Sequence, residues 1–157
     1  GGLLGWLAAV ILIAVQQRVP LHQAAGPMAG LLIPLAAGIW LGCWNAGVGY
    51  APAGSFGIFS PDESGALAVR FPLQPCAALL LAAGGLVLER CGHDLLPGRR
   101  AAITGLILSL NILFFSFIWS DPAPLWAGLR PDAWFALGLT ALSLGGLIAS
   151  GWEKRAV

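Results

Sequence analysis

The chain has 157 residues, 58% of them hydrophobic and 10% charged, with a mean hydropathy of +0.84 and a formal net charge of +1. A soluble domain carries about 25% charged and about 45–50% apolar residues, so this composition excludes disorder, a nucleic-acid-binding module and a small disulfide scaffold, and weighs against a soluble enzyme. The 22 glycines and 11 prolines beside long apolar runs point instead to a polytopic membrane protein, since both residues are common in membrane helices.

A membrane-spanning helix needs about 20 largely apolar residues. Five segments are candidates in chain order. The first, Leu3–Val15, is short for a span and starts abruptly at Gly1-Gly2. It has no basic start, no initiator Met and no cleavage-site pattern, so it does not read as a signal peptide. The chain reads as beginning inside a helix, with upstream sequence missing. The second segment is Pro27–Trp44, the third Leu73–Leu88, the fourth Ala101–Trp119 and the fifth Ala133–Trp152. The expected fold class is therefore all-α: a polytopic transmembrane helix bundle. It is one integral membrane domain over residues 1–157, with about five membrane helices here and an ordered extracytoplasmic loop after the second.

Arginine and lysine positions set the expected orientation. Arg18 falls between the first two segments, Arg90, Arg99 and Arg100 between the third and fourth, and Lys154 and Arg155 after the fifth. These share one side if all five segments cross, and only Arg70 and Arg130 fall on the other. The richer side is read as cytoplasmic, which places the C-terminus inside. His22 and His93 then lie in cytoplasmic connections, away from any span where they could ligate a haem or a pigment.

The connection Asn45–Phe71 begins with turn formers and has a polar turn at Ser60-Pro-Asp-Glu-Ser-Gly65. Phe56, Ile58 and Phe59 would be wetted in a free linker, so the loop is expected to lie on the helix ends. The connection Ser120–Asp132 holds three prolines and cannot be one regular helix. Trp119, Trp126 and Trp134 near its ends, with Trp6, Trp44 and Trp152, read as an interfacial belt, and Trp40 as deeper.

Inside the segments, small residues such as Gly26, Gly30, Gly84, Gly85, Gly138, Gly145 and Gly146 read as helix-packing positions. Asn111 reads as an interhelical hydrogen-bond donor, in the company of Thr104, Ser109, Ser116, Thr140 and Ser143. No Asp, Glu, Lys or Arg sits in the middle of a segment, which argues against a proton-coupled transporter and a charged-ring channel. A transporter or flippase reading also lacks an inverted repeat. Cys43, Cys76 and Cys91 have no CxxC spacing, and Cys91 with His93 has no second pair to complete a zinc site. No cofactor is expected.

The order of these features resembles the prolipoprotein diacylglyceryl transferase family, inner-membrane enzymes that move a diacylglyceryl group from phosphatidylglycerol to a lipoprotein precursor's thiol. Gly1-Gly2-Leu3 resembles the end of the family's His-Gly-Gly-Leu motif. Ile33–Ala51 resembles the signature that runs from a helix into a Gly-rich loop, and Arg70-Phe-Pro-Leu-Gln74 resembles the Arg-His-Pro-x-Gln element. Gly42, Gly47, Arg70, Pro72, Gln74 and Asp121 survive. Trp40 stands where the signature has Arg, Ala51 where it ends in Gly, and Phe71 where the later element has His. Cys76 and Ala77 replace a Tyr-Glu pair. Ile112–Trp119 carries no charge where the family has Arg-Phe-x-x-Glu-Phe-x-Arg.

The resemblance implies a lipid site built from Arg70, Gln74, Asn45, Tyr50, Gly42 and Gly47, with a phosphatidylglycerol-like phospholipid as ligand. Transfer requires donors aimed at the departing glycerol phosphate, and losing one such donor costs about 2.7–4 kcal/mol of barrier. With several gone, the chain is read as a degenerate member without catalytic residues. It would be a lipid-binding accessory or structural subunit of a membrane complex in the bacterial inner membrane. The alternative is an active diacylglyceryl transferase in lipoprotein biosynthesis, with Arg70 on the phosphate and Asn45 on the ester.

Overall fold

The computed structural model describes residues 2–153. Gly1, Lys154 and Arg155, which carry part of the motif and orientation readings, lie outside the described residues, as do the side chains of Leu3, His22 and Trp152. The described residues form six helices: α1 (Gly2–Gln17), α2 (Leu21–Ala29), α3 (Leu32–Asn45), α4 (Leu73–Cys91), α5 (Pro97–Ser116) and α6 (Pro131–Glu153). Two strands, β1 (Ala53–Pro61) and β2 (Leu67–Arg70), form one antiparallel sheet between α3 and α4.

The expectation of about five spans is met in part. Among the described residues, α4, α5 and α6 are long and apolar enough to cross a membrane, and a fourth crossing exists if α2 and α3 count as one bent span. The second segment is broken at Gly30-Leu31, with a bend of 41°. Pro34 accounts for the break. It falls in the first turn of α3, where it has no N–H to offer the Gly30 carbonyl and its ring crowds that carbonyl. The helix over the first segment, α1, covers 16 residues of this sequence, fewer than the about 20 of a span. It lies on α2, with Val10, Ala14 and Ala24 buried together and the Trp6 indole N–H donating to the Met28 carbonyl at 3.1 Å.

The expectation of an all-α chain is corrected. The connection after the second segment is ordered, but as a β-hairpin. Phe56, Ile58, Phe59 and Val69 favour extended backbone, and the Asp62–Gly65 turn closes it. The Asp62 carboxylate accepts from the Ser64 amide (3.0 Å), the Ser64 hydroxyl (2.6 Å) and the Ala66 amide (3.0 Å), while Gly65 takes φ +81°. Both Ala53 and Ile58 register with Arg70, so residues 54–57 bulge out of the ladder. Gly57 allows this at φ +143°, its Cα directly over the Arg70 carbonyl.

The core lies between α3, α4 and α5, around Trp40, Leu73, Leu81, Leu108 and Phe115. Close approach rests on glycine. A Cβ on Gly85 would meet Ile33 of α3 at 2.9 Å, one on Gly84 would meet Ile107 of α5 at 3.0 Å, and one on Gly105 would collide with the Ser143 hydroxyl of α6. Polar side chains lock the same contacts. Asn111 donates to the Ala77 carbonyl of α4 at 3.1 Å, and the Ser109 and Thr140 hydroxyls stand 2.9 Å apart between α5 and α6. Large apolar side chains such as Leu79, Leu86, Val87, Leu142 and Ile148 point outward, as expected of helices solvated by lipid.

Candidate lipid cleft

The chain reverses twice at one end of the bundle, through the hairpin and through residues 117–130, and these two connections pack on each other. The Ser120 amide donates to the Tyr50 carbonyl at 2.9 Å. Gly49, at φ +67°, lets the Trp119 indole lie where a Cβ would stand 2.6 Å from its Nε1. Each connection is organised around one arginine, buried in the first and partly buried in the second.

Arg70 ends β2 and is 8% exposed. It donates to the Ala51 carbonyl at 3.0 Å and to Asp62 Oδ2 at 3.2 Å, and its guanidinium lies 4.6 Å over the Tyr50 ring. Tyr50 is held neutral. A hydrogen bond with the Glu63 carboxylate, followed by burial and the charges of Glu63, Asp62 and Asp121, pushes its hydroxyl up to about 12. Asp62 is pulled below the usual carboxylate range, first by the Ser64 hydroxyl, with the Ala66 and Ser64 amides and the Arg70 charge acting the same way against burial.

Arg130 precedes α6. It donates to the Asp121 carbonyl at 2.7 Å and to Asp132 Oδ1 at 3.2 Å, lies 3.5 Å from Asp121 Oδ1, and stacks 5.1 Å from the Trp119 ring. Asp132 in the first turn of α6 suits the positive end of the helix dipole. Its Oδ2 is buried without a hydrogen-bond partner, as is the Trp119 indole N–H.

Of the six residues expected to form the site, the structure brings four together. Arg70 and Tyr50 stack. Gln74, in the first turn of α4, is buried and donates to the Val48 carbonyl at 3.0 Å. Gly47, at φ +65°, sits where a Cβ would meet the Asp62 carbonyl at 2.6 Å. These four tie the α3–β1 segment to the hairpin turn and to α4. Asn45 and Gly42 are separate from them: both are exposed on α3, and a Cβ on Gly42 would meet nothing within 4 Å.

A separate concave feature lies away from these residues. An apolar cleft of about 620 Å³ runs between α3, α5 and α6. Leu35, Ile39, Ile112, Phe135 and Leu139 wall it, and Trp40, Cys43, Trp119 and Asp132 close its hairpin end. It exists because α3 packs on α4 while α6 packs on α5, leaving the α3 and α6 faces unjoined. Trp40 seals its floor by stacking on Phe115 (centroids 5.7 Å apart) and Trp119 (5.4 Å). Trp119 thus packs inside the bundle rather than in an interfacial belt, whereas Trp126 and Trp134 are exposed.

Sequence reasoning named no residue of this cleft as ligand-binding. Its walls come from three elements far apart in the chain, and apolar residues at helical spacing read alike whether they face a core, a cleft or lipid. The one available signal was the acid pair Asp121 and Asp132 bracketing a tryptophan- and proline-rich connection. Among the described residues, no group of three or more His, Cys, Asp or Glu side chains is placed to hold a metal ion. No family model matches the chain, and no curated protein or solved structure matches it.

Proposed function

We propose that this chain is an integral membrane protein that holds a lipid in the α3–α6 cleft without covalent chemistry. In this reading it is a degenerate relative of the prolipoprotein diacylglyceryl transferases, acting as an accessory subunit of a membrane complex in the bacterial inner membrane. The carrying observation is the cleft itself: about 620 Å³, within the 300–1,000 Å³ range of ligand pockets. Its walls are hydrocarbon and its polar groups are gathered at one end, which is the shape of an amphiphile.

The state of the arginines supports a role without transfer chemistry. Release of glycerol phosphate calls for donors aimed at the departing charge. Arg70 turns both terminal nitrogens to Ala51 and Asp62, leaving only a buried Nε unpartnered, and Arg130 is engaged by Asp121 and Asp132. A subunit role is supported by glycines that the chain leaves unused. Gly38 and Gly42, four apart on α3, and Gly138 and Gly145 on α6 face outward, and a Cβ on any of them would meet nothing within 4 Å. Glycines spaced by four on a lipid-facing surface are suited to close approach of another membrane helix.

The charge distribution supports a hairpin end outside and the C-terminus in the cytoplasm. Residues 45–72 and 117–132 carry four carboxylates and two arginines, while residues 18–22 and 89–100 carry four arginines and two carboxylates. Purification in mild detergent followed by lipid mass spectrometry tests the reading. A lipid retained in stoichiometric amount and lost when Leu139→Trp fills the cleft is expected; no retained lipid overturns it. Transfer of diacylglyceryl to a lipobox peptide, abolished by Arg70→Ala, would overturn the non-catalytic part.

A further inference from the structure

The headgroup end of the cleft is electrostatically one-sided. Asp132 lines the cleft and carries a buried, unpartnered acceptor oxygen. The nearest cation, Arg130, is already shared between Asp121 and Asp132, with Nε and one terminal nitrogen hydrogen-bonded and the other 3.5 Å from Asp121 Oδ1. Arg70 is held by Asp62 and Ala51. Across both connections the four carboxylates outnumber the two arginines. A phosphate is bound by donors that are unspent, most strongly by a bidentate guanidinium. Here the one buried unspent donor in the lining is the neutral Trp119 indole N–H, and a phosphate would meet the Asp132 carboxylate in a poorly solvated site with no cation left to offset it.

We propose that the cleft takes a lipid with an uncharged, hydroxyl-bearing headgroup, such as a glyceride, and turns away anionic phospholipids. The proposal rests on the lipid-binding reading above and names its ligand class. A headgroup hydroxyl supplies the donor that Asp132 Oδ2 lacks, and its acyl chains run along Leu35, Ile39, Phe135 and Leu139. Because the site is a groove between unjoined helices, such a lipid enters sideways from the bilayer.

The test uses the whole chain in nanodiscs doped with photoactivatable diacylglycerol or photoactivatable phosphatidylglycerol of the same chain length. Crosslinks are mapped to α3 and α6 peptides by mass spectrometry. At equal mole fraction the neutral probe is expected to label the cleft about fivefold or more over the anionic one. Asp132→Asn, which keeps the shape and removes the carboxylate's charge beside Arg130, is expected to bring the two probes within about twofold by raising anionic labelling. Labelling by the anionic probe equal to or above the neutral one in the unaltered chain overturns the proposal, as does an unchanged ratio in Asp132→Asn. Absence of cleft labelling by both probes instead overturns the lipid-binding reading itself.

Discussion

Gly47 and Gly42 are five residues apart and do opposite work. Gly47 has φ +65° with the Asp62 carbonyl against its Cα. An L side chain in that region costs about 1–2 kcal/mol before any clash, so Gly47→Ala should destabilise by at least that amount and loosen the hairpin. Gly42 is in open helix, where Ala is preferred over Gly by about 0.8–1.0 kcal/mol, so Gly42→Ala should be neutral or slightly stabilising. Thermal melts of the two variants in the same detergent would separate them, and equal losses would contradict the assignment. Both glycines were legible as members of one resembling motif, but a motif does not distinguish a strained turn from an exposed helix position. Tyr50 gives a second residue-scale prediction, because it is the chain's only tyrosine. Its tyrosinate absorbance should rise near pH 12 rather than near the ordinary 10, and Glu63→Gln should move the titration down toward the ordinary value. A titration already at the ordinary value in the unaltered chain would mean that Glu63 does not hold the hydroxyl.

At the scale of elements, the hairpin is the least anticipated piece and the most sensitive to acid. The sequence shows its turn plainly at Asp62-Glu63-Ser64-Gly65, and its aromatic and β-branched residues are visible. The bulge at residues 54–57 was not visible, because a four-residue bulge has no period. The bend between α2 and α3 was equally hidden: Pro34 sits inside an otherwise continuous apolar run, and only its relation to the Gly30 carbonyl shows where the break falls. The long helices α4, α5 and α6 were legible because their apolar length is itself the signal, although each starts or ends a few residues from the expected boundary. Asp62 sets the hairpin's pH response. Its folded pKa lies below its ordinary value, so its contribution is complete above the unfolded pKa, about 3.9, and is lost as pH falls through the lower, folded value. Amide exchange at Ser64 and Ala66 should therefore remain protected at neutral pH and lose protection below about pH 4. That loss should precede any loss in α4 or α5, which hold no comparable carboxylate contact in their cores. Simultaneous loss in all elements would show that the turn does not open independently.

The whole molecule combines two asymmetries, one of charge and one of packing. The carboxylate-rich end holds the hairpin, both internally paired arginines and the polar end of the cleft. The arginine-rich end holds the α4–α5 connection, where Arg100 pairs with Glu89. Positive charge near the ends of spans resists translocation, so the second end should face the cytoplasm. That bias was readable from the sequence, since it needs only the order of arginines and apolar runs. The cleft was not, since it depends on α3 and α6 choosing different neighbours. The orientation can be checked with cysteines already in the chain: Cys91 is exposed at the arginine-rich end, whereas Cys43 and Cys76 are partly covered within the bundle. In right-side-out vesicles, a membrane-impermeant maleimide should leave Cys91 unlabelled until the membrane is permeabilised. A cysteine placed in the hairpin turn as Ser64→Cys, with Cys91→Ser, should be labelled without permeabilisation, since Ser64 is exposed. The reverse pattern would put the cleft's polar mouth in the inner leaflet. A lipid entering the cleft would then come from the cytoplasmic leaflet, and the positive charge would face outward against the usual bias. Labelling of both sites from one side would mean that an odd number of crossings does not separate them, which would exclude α4 as a full span.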